Sequence, residues 1–179
     1  MAVSAIMVDR AHAPWLKGHI TSVLLMDIKA VFPSVAKGVP VNLMNVRQMD
    51  GDRIRWTEIC LSERTVDMII QGNAMERQPV EAGVPQCSPV SPILFEIYTS
   101  GLIKWVEENL SEAEGLSIVD ALGWASIGTN VNYVVSILAR CAAMGIEWAS
   151  GIGLQFNTAK TEAALFTRRR GHRKDLGQY

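Results

Sequence analysis

Two aspartates stand where apolar strands should end. Asp27 closes the run Ser22-Val23-Leu24-Leu25-Met26, and Asp120 closes Leu116-Ser117-Ile118-Val119. A carboxylate buried without a partner is costly, so a positive charge is expected between the two. If their strands are neighbours in one sheet, the carboxylates converge. A hard cation such as Mg²⁺ needs only one or two protein carboxylates when substrate phosphates fill its other positions. Two such ions, about 3.5 to 4 Å apart, activate a hydroxyl and stabilise a leaving phosphate oxygen. The alternative is an aspartate capping a turn at each strand end.

A second locus is the loop Gly83-Val84-Pro85-Gln86-Cys87-Ser88-Pro89, where a glycine and two prolines set backbone N–H groups beside a helix start. Such a loop suits phosphate or base contacts, and equally suits a structural helix cap. The third is a basic run, Arg168, Arg169, Arg170, Arg173 and Lys174, which either binds phosphates or is a solvated end.

The elements that must position these groups follow from pattern. Ser22 to Ile28 is short and almost continuously apolar, as in a buried strand. Val41 to Met49 has helical spacing, with Gly38 and Pro40 predicting a late start. Asp52 is the expected cap of the next helix, which carries Ile54, Ile59 and Leu61. Arg64 to Gln71 reads as a strand with Gln78 to Ala82 as its hairpin partner. A long helix is predicted over residues 90–109, with Ser88 as N-cap and Pro89 as its first residue. Leu116 to Val119 and Leu122 to Ile127 form a second hairpin, Thr129 caps a helix to about Ala149, and Ala163 to Phe166 is a last strand. The order is α+β, an antiparallel sheet covered by helices on one face.

Composition narrows the class. The chain has 179 residues, 49% hydrophobic and 20% charged, enough for one buried core. Residues 1–167 hold 12 basic and 17 acidic side chains, whereas 168–175 hold five basic and one acidic. Positive charge is thus concentrated in the tail. Cys60, Cys87 and Cys141 are odd in number and widely spaced, which argues against a disulfide scaffold or zinc site. No apolar run reaches 18 residues, and Asp9, Arg10, His12, Lys17 and His19 occupy the region where a signal peptide would be apolar. No membrane span and no secretion are expected, which leaves an intracellular protein of nucleus or cytoplasm. Gly151-Ile152-Gly153 lacks the third glycine and preceding strand of a dinucleotide loop.

Four segments, in order, resemble reverse transcriptases of the non-LTR retrotransposon type. They are Leu25-Met26-Asp27-Ile28-Lys29-Ala30-Val31-Phe32, residues 83–95 with the pattern GVPQ-x-SP-x-SPILF, the tip Ile118-Val119-Asp120-Ala121, and residues 153–162. The resemblance implies a polymerase palm with partial fingers and no thumb over residues 21–167, a lead-in at 1–20 and a basic tail at 168–179. It implies Asp27 and Asp120 as ligands of Mg²⁺ or Mn²⁺. Phe32 would lie under the incoming sugar and exclude a 2′-hydroxyl. Gln86 and Ser88 would contact template and nucleotide, and Lys160 would approach the triphosphate as a proton donor. RNA template, DNA primer and deoxynucleotide triphosphates are the implied partners.

The sequence departs from that family at three motif positions. Ala121 stands where a second aspartate is usual, Pro33 where aspartate is usual, and Cys87 where glycine is usual. The expectation is therefore an RNA-directed DNA polymerase domain of impaired activity, with a nucleic-acid-binding remnant of a retroelement as the alternative.

Overall fold

The computed structural model describes Pro14 and residues 16–118 and 121–167. Its centre is a four-stranded antiparallel sheet in the order β6-β7-β1-β8, formed by β1 (Ile20–Asp27), β6 (Ala113–Ile118), β7 (Ala121–Gly128) and β8 (Glu162–Phe166). Among the described residues it is accompanied by the helices α1 (Gly38–Val46), α2 (Gly51–Leu61), α3 (Ser91–Asn109) and α4 (Val131–Gly151). A small ribbon between α2 and α3 comprises β2 (Thr65–Val66), β3 (Ile69–Ile70), β4 (Asn73–Ala74) and β5 (Gln78–Pro79).

Strand periodicity decides which side chains meet the helices. Leu24 and Met26 of β1 lie opposite Trp124 and Leu122 of β7, and all four belong to the core. The alternate residues, Leu25, Asp27, Ala121 and Gly123, belong to the other face. On the core side, α3 packs on β6, and α4 packs on β7 and β1. The two helices also touch each other, and α1 bridges α2 and α3. Leu94, Phe95, Tyr98, Leu102 and Val106 form the buried stripe of α3, spaced as 3.6 residues per turn requires. Tyr98 extends this stripe to the far end of α4, donating its hydroxyl to the Ile152 carbonyl at 2.6 Å.

Several boundaries differ from the pattern reading, each for a local reason. Helix α1 starts at Gly38, before Pro40 rather than after it. A proline in the first turn lacks an N–H that has no intrahelical acceptor there in any case. Asp50, not Asp52, caps α2, accepting from the Asp52 and Arg53 amides at 3.1 and 3.3 Å. Asp52 instead sits in the first turn, where a negative charge suits the helix dipole. Asn130, not Thr129, caps α4 by accepting from the Tyr133 amide.

Helix α3 begins at Ser91, with Val90 rather than Ser88 in the cap position and Pro92 rather than Pro89 in the first turn. Two Ser-Pro pairs in succession make either register locally acceptable. The register is settled by Ser91, whose hydroxyl donates to the Pro85 carbonyl. The strand expected over 64–71 is broken at Asp67 and Met68. Its first half, β2, pairs with β5, and its second half, β3, pairs with β4 across Gln71 and Gly72, both at positive φ. Arg77 binds Asp67 with two hydrogen bonds of 2.8 and 3.0 Å between those pairs.

Candidate active site at the end of the central strand

Asp27 is the last residue of β1, paired in register with Ala121, the first residue of β7. The chain that follows Asp27 is held against the segment leading to β8. Lys29 donates its amide to the Gln155 carbonyl, Ile28 bridges Phe156, and the Asn157 amide donates to the Asp27 carbonyl, both hydrogen bonds at 2.8 Å. Past Asn157 the chain makes one 3-10 turn, Thr158–Lys160. That turn brings the Lys160 ammonium to 3.6 Å from a carboxylate oxygen of Asp27.

Two residues 133 positions apart are thereby joined as an ion pair rather than a hydrogen bond. Its strength is small. The Asp27 side chain is 28% exposed and that of Lys160 67%, and water competes effectively for so exposed an ammonium. Pairs of this kind contribute under about 1 kcal/mol. Asp27 therefore keeps a partly accessible carboxylate beside an exposed cation.

The second group forms around the turn after Asp27. Phe32 is half-buried, its ring edge-on to that of Phe95 with centroids 6.3 Å apart. Its carbonyl accepts from the Val84 amide at 2.9 Å, and the Val35 carbonyl accepts from the Gly83 amide at 2.7 Å. The loop of residues 83–89 is thus docked on the Phe32 turn through its backbone. Gly83 has φ +86, and a Cβ there would lie 2.9 Å from the Phe32 oxygen and 3.0 Å from Pro33 Cα. Only glycine permits this approach. Beyond the anchor, Gln86 and Cys87 are exposed and Ser88 is half-buried. Cys87 has φ +62, so the position where the sequence departs from glycine is indeed left-handed. The Ser88 hydroxyl oxygen accepts from Val90 at a long 3.4 Å.

Of the residues singled out by sequence, Asp27 and Lys160 come together, and Phe32 is joined to the loop that carries Gln86 and Ser88. Asp120 and the basic residues Arg168, Arg169, Arg170, Arg173 and Lys174 lie outside the described residues. Among the described residues, no group of three or more His, Cys, Asp or Glu is arranged to hold a metal ion. Also among them, no helix is long and apolar enough to cross a membrane. Sequence reasoning missed Arg64, which donates from its guanidinium to the Gly83 carbonyl at 2.6 Å. Its only signal was a cation immediately before a strand, too common to single out.

No protein-family model matches the chain. Among solved structures, the fold is similar to that of apo telomerase from Candida tropicalis, with a TM-score of 0.66 at 12% identity over 91% of this chain. It is also similar to apo telomerase from the same organism truncated from its C-terminal domain, with a TM-score of 0.65 at 14% identity over 96% of this chain. The chain spans about a third of the length of those telomerase chains, 31% and 36%. At such identities the likeness is one of fold.

Proposed function

We propose that this chain is the palm-type domain of an RNA-directed DNA polymerase of the non-LTR retrotransposon kind, acting weakly in nucleotidyl transfer. The observation that carries the proposal is the register of β1 on β7. It places Asp27 opposite Ala121, the residue next in sequence to Asp120. The telomerase-like fold supports the same reading, since telomerase is a reverse-transcriptase-related polymerase.

In this reading Asp27 and Asp120 hold Mg²⁺ or Mn²⁺ together with the phosphates of a deoxynucleotide triphosphate. What supports this reading is that Asp27 is partly accessible and faces one positive charge, Lys160. When bound, the ion would activate a primer 3′-hydroxyl and neutralise the leaving pyrophosphate. The chain's own residues do the rest. Lys160 turns from Asp27 toward the triphosphate and supplies a proton to the departing oxygen. Phe32 lies under the sugar, while Gln86 and Ser88 meet the template and nucleotide.

Weakness follows from Ala121. Its methyl group provides no donor opposite Asp27, and loose placement of a catalytic ion by a few tenths of an ångström lowers the rate. The same feature favours a second reading, in which the domain holds nucleic acid without chemistry. Primer extension on an RNA template separates them. Slow extension with Mn²⁺ that Asp27→Asn abolishes supports the polymerase, and extension that persists in Asp27→Asn overturns the site. Salt-sensitive RNA binding with no extension under any divalent ion supports the second reading.

A further inference from the structure

We infer that Arg64 is the positioning residue of the loop that faces substrate, tying it to the β2/β5 ribbon. The inference deepens the polymerase reading and, in its substrate half, rests on it. Both peptides that flank the Gly83 α-carbon are held. The Gly83 N–H donates to the Val35 carbonyl at 2.7 Å, and the Gly83 carbonyl accepts from the Arg64 guanidinium at 2.6 Å. The following amide, of Val84, donates to the Phe32 carbonyl. Meanwhile the backbone carbonyl of Arg64 accepts from the Val80 amide at 2.8 Å, closing the base of the ribbon. One residue therefore spans the ribbon and the loop, with its main chain in the first and its side chain on the second.

Among the described residues, no other hydrogen bond reaches the Gly83 carbonyl. Gly83 has no side chain to wedge the loop in place, and glycine's wide backbone freedom makes its conformation depend on these hydrogen bonds. Arg64 is half-buried, so its charge-assisted bond is partly shielded from water. Through Gly83, the reach of Gln86 and the height of Phe32 are set together, because both are fastened to the same two peptides. A guanidinium suits this role: it stays charged and has several donors in a rigid plane.

The test is hydrogen exchange on the intact chain, read at peptides covering residues 83–88. In Arg64→Ala, the Gly83 and Val84 amides exchange about tenfold faster or more, while amides in α4 keep their protection. Arg64→Lys, which keeps the charge and N–H donors but not the rigid fork, recovers part of the difference, and this arm remains informative should the alanine variant fold poorly. Unchanged exchange at residues 83–84 in both variants overturns the assignment. The substrate half is read by titrating a fluorescent deoxynucleotide triphosphate in the presence of template-primer. Arg64→Ala weakens nucleotide affinity several-fold while leaving template-primer affinity and the melting temperature close to wild type. Equal nucleotide affinity with loosened exchange overturns the substrate half. Wild-type protein that takes no nucleotide overturns the polymerase reading, with the hold on the loop still decided by exchange.

Discussion

Cys87 and Gly83 show how much one dihedral angle decides in this site. Both residues have left-handed backbone, at φ +62 and +86, but only one of them is glycine. A side chain in that region costs about 1 to 2 kcal/mol, part of which glycine returns as extra freedom of the unfolded chain. Cys87→Gly is thus expected to raise the unfolding free energy by about 0.5 to 1 kcal/mol in a urea titration. Gly83→Ala adds a clash with the Phe32 carbonyl to the same strain, so a loss of about 2 to 4 kcal/mol is expected. Equal effects of opposite sign are not expected, because Cys87 is exposed and Gly83 is buried. The cysteines also differ chemically. Burial pushes the Cys141 thiol up to about 11, and the residue is fully shielded. Cys87 should therefore react with a maleimide at neutral pH while Cys141 stays unmodified until the protein unfolds. The unfolded Cys141 ionises near its ordinary value of 9 while the folded one remains protonated, so stability is complete below about pH 9 and declines toward pH 11.

At the scale of elements, one helix cap makes the division between legible and illegible concrete. The pair Asp50 and Asp52 announces a helix start, and the apolar spacing that follows announces the helix. Choosing between the two acids needs the backbone: Asp50 is extended at φ −54, ψ 131, and its carboxylate reaches two amides. Asp50→Ala should lower stability by about 1 kcal/mol in chemical denaturation, with Asp52→Ala costing less than half as much. The converse result would return the cap to Asp52. Strand β1 was readable for a different reason. Its run of apolar residues ending in one carboxylate has few alternatives, and the run from Leu116 to Asp120 repeats the pattern in the sequence just before β7. The ribbon was readable only in part, because β2 and β3 are two residues each and their break depends on Asp67 meeting Arg77 across the strands. Arg64 was illegible altogether. Its role lies in a contact with a backbone carbonyl 19 residues away, and no side chain in the sequence marks that acceptor.

For the whole molecule, charge sets the terms on which a polyanion can be held. Residues 1–167 carry five more acidic than basic side chains, and residues 168–175 carry four more basic than acidic. The net charge of the body opposes a polyanion, so in the proposed function nucleic acid would be held by the tail, by divalent ions at Asp27 and Asp120, or by both. The two readings of function assign these shares differently. Tail binding neutralises phosphates and releases counterions, giving a slope of log affinity against log salt of about 0.7 to 0.9 per phosphate engaged. Five basic residues then allow a slope up to about 4. Replacing Arg168, Arg169, Arg170, Arg173 and Lys174 with glutamine should flatten that slope and expose whatever the body contributes. In the polymerase reading, the residual affinity for a template-primer with nucleotide appears only with Mg²⁺ or Mn²⁺, and Asp27→Asn removes it. Adding Ala121→Asp should strengthen it, because a carboxylate then stands opposite Asp27 in the register of β1 on β7. In the binding-only reading, the glutamine variant loses all affinity whether or not a divalent ion is present, and Ala121→Asp only adds to the repulsion. Filter binding at several salt concentrations, with and without Mn²⁺, distinguishes the two by the sign of the Ala121→Asp effect.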